Sequence, residues 1–201
     1  MDKSVSVGSK SIMQKMLLLR IFLLVFITNF AFAFSVKSLQ ELHNQNVIRQ
    51  QYEESCGASA LATLLNLFEF KQYSEQDILA FLNQKTDMLS FKELQEVANT
   101  LGYATKGFQL QREILEQTSY PLLVRIENDP RFPHFVVIIN HKGDFIQVFD
   151  PNFGQYKATK KEFYSVWDRN HTGGFALVIA KNENSKPMIK DLEFPNEAFF
   201  K

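Results

Sequence analysis

The stretch QQYEESCGASALATLLN, residues 50–66, holds the chain's only cysteine, Cys56. A lone cysteine has no partner in its own chain. It is either a small buried hydrophobe or a thiol kept for its chemistry. Its neighbourhood favours chemistry. Leu61, Leu64, Leu65 and Phe68 recur at i, i+3, i+4 and i+7, which predicts one face of a helix beginning near Cys56. The first turn of a helix presents unpaired N–H groups and a partial positive charge, and these stabilise a thiolate. A nucleophilic thiolate needs a base, and the base needs an orienting group.

The chain has four histidines. His43 lies in a polar lead-in, His141 in a predicted hairpin turn and His171 in the loop sequence RNHTGG. His134 opens an apolar strand directly after Pro133, a place where a side chain is held rigidly at a sheet edge. By itself such a residue is more commonly a satisfied strand-end histidine. Asp150 follows 16 residues later, in VFDPNFG, and ends the next strand. If residues 134–140 and 145–149 form a hairpin, His134 and Asp150 lie at the same end of adjacent strands. The carboxylate can then hold one imidazole nitrogen and leave the other for the thiol. Asp-Pro also makes a turn with no function attached. Upstream, Gln50 and Gln51 each offer an amide donor for the oxyanion of an attacked carbonyl, beside the N–H of Cys56. Residue chemistry alone does not separate these two. The histidines lack ligand spacing, and one cysteine with one histidine is a poor zinc site. Neither a metal nor a cofactor is expected.

The elements that must position these groups change character halfway along the chain. SEQD at 74–77 and SFKE at 90–93 are capping-box patterns ahead of apolar runs, and Gly102 is a plausible helix stop. The first half is therefore read as helical. PLLVRIE (121–127), HFVVIIN (134–140), FIQVF (145–149) and GFALVIA (174–180) are rich in β-branched and aromatic residues and bounded by turn formers, so they read as strands. NHKGDF between two of them reads as a hairpin turn, and KKEFYSVW (160–167) as a short amphipathic helix. Helices followed by an antiparallel sheet imply an α+β domain of two lobes, with the thiol facing its partners across a cleft.

The amino terminus differs from the rest. Lys3, Lys10, Lys15 and Arg20 precede IFLLVFITNFAFA, a 13-residue apolar run that ends in Ala31-Phe32-Ala33. That pattern reads as a signal peptide over residues 1–33, cleaved near Ala33. The run is shorter than the ~20 residues a spanning helix needs. The alternative is an uncleaved anchor in the inner membrane. Residues 34–44 form a lead-in, 45–181 the folded domain, and 182–201 a polar tail. The whole chain is charge-balanced, with 22 basic and 22 acidic residues. Removing residues 1–33 leaves 18 basic and 21 acidic residues. Neither balance implies a nucleic-acid partner.

QQYEESCGASAL, HFVVII and DPNFG, in this order and spacing, resemble the double-glycine, bacteriocin-processing cysteine peptidases, family C-39, of the papain-like clan. LSFKELQEVANTLGYATKG is similar to that family's second helical region and first strand. The resemblance covers roughly residues 45–180. It implies a papain-like fold with Cys56 as nucleophile, His134 as general base and then acid, and Asp150 as orienter. The matching glutamine lies six before the cysteine, which selects Gln50 for the oxyanion hole. Many members carry Asp before Cys-Gly, where this chain has Ser55, a change expected to tune activity rather than abolish it. The best-known members are amino-terminal domains of peptide-exporting transporters. This chain shows no transporter segments and resembles the stand-alone, exported members, some of them tied to amyloid-fibre or adhesin secretion. The expectation is a periplasmic or secreted cysteine endopeptidase that processes or quality-controls an exported protein. Its partners would be that substrate and a component of the export system or outer membrane. One alternative is a non-catalytic docking module that holds an export substrate. Another is a different acyl-transfer enzyme on the same fold.

Overall fold

The computed structural model describes residues 5–30, 37–68, 72–129, 131–140 and 143–181. The Ala31-Phe32-Ala33 site, His141 and the tail from 182 lie outside them. The chain divides into two units, residues 1–37 and 38–201. In the first, residues Val5–Phe30 form helix α1. Among the described residues no helix is long and apolar enough to cross a membrane.

The second unit opens with α2 (Leu39–Asn44), α3 (Cys56–Phe68), α4 (Glu75–Ala80) and α5 (Phe91–Thr100). Next come β1 (Tyr103–Leu110), α6 (Arg112–Gln117), β2 (Leu122–Asp129), β3 (Phe132–Asn140), β4 (Phe145–Asp150), β5 (Gly154–Thr159), α7 (Lys160–Trp167) and β6 (Gly174–Lys181). The strands form one antiparallel sheet in the order β1-β6-β2-β3-β4-β5. This is the α+β arrangement the sequence predicts, helices first and sheet second.

Local signals explain most element ends. Ser74 with Asp77 and Ser90 with Glu93 form capping boxes at α4 and α5, and Thr159 with Glu162 does so at α7. Gly102, at φ +92°, turns the chain out of α5 into β1. Helix α4 stops at Ala80, short of the apolar run through Leu82, because Asn83 and Gln84 adopt positive φ.

Two apolar layers flank the sheet. Leu123, Phe135, Val137, Ile139, Phe149 and Leu177 pack on α3, α4 and α5. Val124, Ile126, Val136, Ile138, Ile146 and Val148 pack with Phe163 and Trp167 of α7 and Leu115 of α6. Burial on both faces explains why HFVVIIN is a continuous apolar run rather than an alternating one. Helix α3 is likewise buried along its whole length, not along one stripe. Its polar residues serve the loops around it. Thr63 Oγ1 accepts from Ile48 N at 2.9 Å, and Asn66 bonds both Tyr73 N and Tyr73 O, at 2.7 and 2.8 Å. So α3 is the central post of the domain, and Cys56 stands at its tip.

Candidate active site

The backbone brings three of the predicted residues together. Cys56 is the first residue of α3 and is 3% exposed. Gly57 behind it allows close packing. A Cβ there would lie 3.3 Å from Leu89 Cβ and 3.3 Å from Phe135 Cδ2, so glycine lets the helix tip settle onto β3.

His134 is the third residue of β3, not the first, and β3 lies inside the sheet between β2 and β4. The expected sheet edge is thus the end of a central strand. Pro133 needs a break in the ladder, because it has no N–H to donate. The break is a register shift between β2 and β3. Ile126 pairs with His134 and Asp129 with Phe132, so two residues of β2 face one of β3. Such bulges re-aim the neighbouring side chain.

Asp150 ends β4. The β3–β4 register pairs Val137 with Phe149, and one step further sets Asp150 opposite Val136. His134 is two residues along on the same face, a diagonal neighbour within side-chain reach. His134 Nε2 meets Asp150 Oδ1 at 2.8 Å. The same oxygen accepts from Asn152 N at 2.7 Å and Phe153 N at 3.1 Å. Asp150 therefore closes the turn and holds the imidazole with one atom. That bond leaves the other imidazole nitrogen, Nδ1, open for the Cys56 sulfur, which is near enough to act on the titration of His134.

Electrostatics follow from this geometry. Burial acts to lower the pKa of His134. The hydrogen bonds to Asp150 and Cys56, and the charges behind them, outweigh burial and raise it to about 9. An imidazolium is thus kept through the neutral range. The stability gained from its contacts is complete below the ordinary histidine value of 6.5 and is lost as pH rises through about 9. Asp150→Asn keeps an acceptor oxygen for the turn and removes the charge. We expect the His134 titration followed by ring-nitrogen NMR to move down by about one pH unit or more. An unchanged titration would show that the Asp150 charge does not set it.

The predicted oxyanion donor, Gln50, lies midway along the segment between α2 and α3. Its Nε2 donates to Tyr52 O and Glu53 O, each at 3.0 Å. Its Oε1 is buried and has no partner among the described residues. The amide is therefore close to the thiol in sequence and turned onto the loop that leads to it. Gln51 is exposed, and its backbone N–H donates to Glu75.

Two supporting residues went unread in the sequence. Arg49 donates to Pro151 O at 3.0 Å, to Asn44 Oδ1 at 2.7 Å and to Asn152 O. Together with Gln50 N on Pro151 O at 3.1 Å, it ties the turn after Asp150 to the strand-like run before the cysteine. Gly154 extends this tie. A Cβ there would lie 2.5 Å from His43 O, and its φ of +91° favours glycine. The second is Glu75, a carboxyl group buried against the loop before Cys56. A basic residue beside a glutamine and an acidic residue after a helix cap are common surface patterns, so no single-sequence signal marked either one.

Comparison with known proteins identifies the family and the fold. The model of the Peptidase C39 family matches residues 44–184. A relative described as a probable functional amyloid protease, FapD of Pseudomonas aeruginosa, is 26% identical over 140 residues, covering 66% of this chain. The match spans 62% of that relative's length, so the chain corresponds to about three fifths of it. The lactococcin-G-processing and transport ATP-binding protein LagD of Lactococcus lactis is 26% identical over 155 residues, 74% of this chain and 21% of LagD. Among solved structures, the peptidase domain of Streptococcus ComA superposes with a TM-score of 0.59 at 19% identity, covering 67% of this chain and 97% of that domain. A double glycine motif protease from an AMS/PCAT transporter, solved with a leader peptide, superposes at 0.56 with 25% identity, covering 66% and 89%. The fold is that of these papain-like peptidase domains. With its family match running through α3, β3 and β4, this chain belongs to the Peptidase C39 family of cysteine peptidases.

Proposed function

We propose that this protein is an endopeptidase that cuts an exported protein through an acyl-enzyme formed on Cys56. The observation that carries the reading is the chain of contacts from Asp150 through His134 to the sulfur at the tip of α3. In this reading the Cys56 thiolate attacks the scissile carbonyl carbon, and the carbonyl electrons move onto oxygen. The Cys56 N–H and the Gln50 amide stabilise that oxyanion, for which Gln50 exchanges one of its bonds to Tyr52 or Glu53. The C–N bond then breaks, and His134 gives its proton to the departing amine. His134 next takes a proton from water, which attacks the thioester and frees the acid and the thiol. Asp150 holds the ring orientation throughout.

The substrate class and location rest on two supports. A relative described as a probable functional amyloid protease points to an exported, fibre-related substrate and to a partner in its secretion system. The basic and apolar segment before Ala33 supports delivery to the periplasm, with residues 45–181 as the working domain.

Alkylation by iodoacetamide from pH 4 to 9, beside a His134→Ala variant, tests the pair. We expect fast alkylation of the wild type well below pH 8, lost in the variant, because His134 stays protonated to about 9. A plain thiol curve unchanged by the mutation would reject the ion pair and leave a docking module as the reading.

A further inference from the structure

The loop between Gln50 and Cys56 carries a proposed oxyanion donor at each end. One is the Gln50 side chain, and the other is the Cys56 N–H. Residues 51–54 between them are exposed and belong to no helix or strand. The loop's internal bonds run among Gln50, Tyr52, Glu53 and Ser55, and none of them anchors it to a helix.

Glu75 supplies the hold. It is the first residue of α4 and is 1% exposed. Its Oε1 accepts from Ser55 Oγ at 2.5 Å, from Ser59 Oγ at 3.0 Å and from Gln51 N at 3.1 Å, and its Oε2 from Gln51 N at 3.2 Å. One carboxyl group thus grips the residue after Gln50, the residue before Cys56 and the first turn of α3. Gln76 adds a bond from Nε2 to the Tyr52 hydroxyl at 3.2 Å. Ser55 holds the position where a serine would normally cap its own helix amides. Its hydroxyl is instead placed between Glu75 and the Tyr52 carbonyl, at 2.5 and 2.9 Å. This leaves the tip of α3 uncapped by Ser55. A buried carboxyl group is costly in a core that apolar residues could fill. Its three donors all belong to the nucleophile's loop and helix.

We propose that Glu75 is a positioning residue that sets the spacing of the oxyanion donors Gln50 and Cys56 N–H. It touches no reacting atom. The proposal rests on the acyl-enzyme reading above. Its chemical signature is specific, because alkylation of Cys56 creates no oxyanion whereas acyl transfer does. A displaced donor therefore slows acylation and spares alkylation.

The test compares two probes on the full chain, iodoacetamide and N-acetyl-Gly-Gly p-nitrophenyl ester. In the second, the sulfur displaces p-nitrophenolate to form a thioester, and the released phenolate is read by its absorbance. Glu75→Gln keeps the side-chain volume and one acceptor oxygen but places an NH2 group against Gln51 N. We expect its acylation rate to fall roughly tenfold or more, with alkylation within about twofold of wild type. Ser55→Ala, which releases only the Cys56 end, gives the same split at smaller size and serves if Glu75→Gln folds poorly. Equal loss in both reactions, or no loss in either, overturns the proposal. A wild type that is alkylated rapidly but not acylated overturns the acyl-enzyme reading instead, and this inference falls with it.

Discussion

If the proposed function holds, cells carrying Cys56→Ala should lose processing of an exported substrate entirely. The measurement is mass spectrometry of the amino termini of exported proteins in wild-type and variant cells. Removing a covalent nucleophile from a cysteine–histidine site costs at least about a thousandfold in rate, so the new termini should vanish. The change is well controlled. Cys56 is 3% exposed at the tip of a helix, and alanine is smaller, apolar and a good helix former. The rest of α3 keeps its contacts, among them Thr63 to Ile48 and Asn66 to Tyr73. A folded Cys56→Ala protein that still yields every wild-type terminus would exclude the acyl-enzyme. Substrate binding without cleavage would then be the function. His134→Ala should match the loss, since the thiolate loses its imidazolium partner and the leaving amine its proton donor.

The candidate site was legible because its residues sit where the backbone has few options. A helix start announced by leucine spacing places Cys56. A strand pair joined by a short turn places His134 and Asp150 at one end of the sheet, and the register makes them diagonal neighbours. These are local patterns, and local patterns survive in a single sequence. Gly102 reads in the same way, ending α5 at positive φ.

What the sequence concealed is tertiary. Strand β5 (GQYKAT) is a polar edge strand with only β4 for a neighbour, so neither alternation nor β-branching marks it. Helices α2 and α6 have six residues each, too few for periodicity to show. The leucine stripe of α3 predicted one buried face. The other face is buried too, because Ser59, Thr63 and Asn66 find partners in the surrounding loops. His134 was expected at an edge, yet a bulge lets Pro133 enter a central strand. Glu75 read as part of a capping pattern, and Ser74 and Asp77 do form that cap while Glu75 turns inward. Nothing in the identity of a first-turn acid tells which way it points.

Gln50 is the residue whose proposed role and observed contacts differ most, and its substitution should have the next largest effect. Both hydrogens of its amide are taken by Tyr52 O and Glu53 O, and its Oε1 is buried without a partner among the described residues. The assigned orientation is the favourable one, because a flipped amide would set its oxygen against two carbonyls. For the oxyanion to be bound, one N–H must leave a loop carbonyl, and the Tyr52 carbonyl keeps a second donor in the Ser55 backbone N–H at 3.4 Å. The exchange therefore strands no acceptor. Gln50→Ala should lower the acylation rate by about 10²–10³, the cost of one oxyanion donor, and leave iodoacetamide alkylation nearly unchanged. Gln50→Glu should be slower still, since a carboxylate cannot donate and repels both the loop carbonyls and the developing charge. Gln51→Ala should acylate at the wild-type rate, because its contact to Glu75 is made by the backbone. If Gln50→Glu acylates as fast as Gln50→Ala, the amide does not face the oxyanion, and the second donor must be sought elsewhere on the loop.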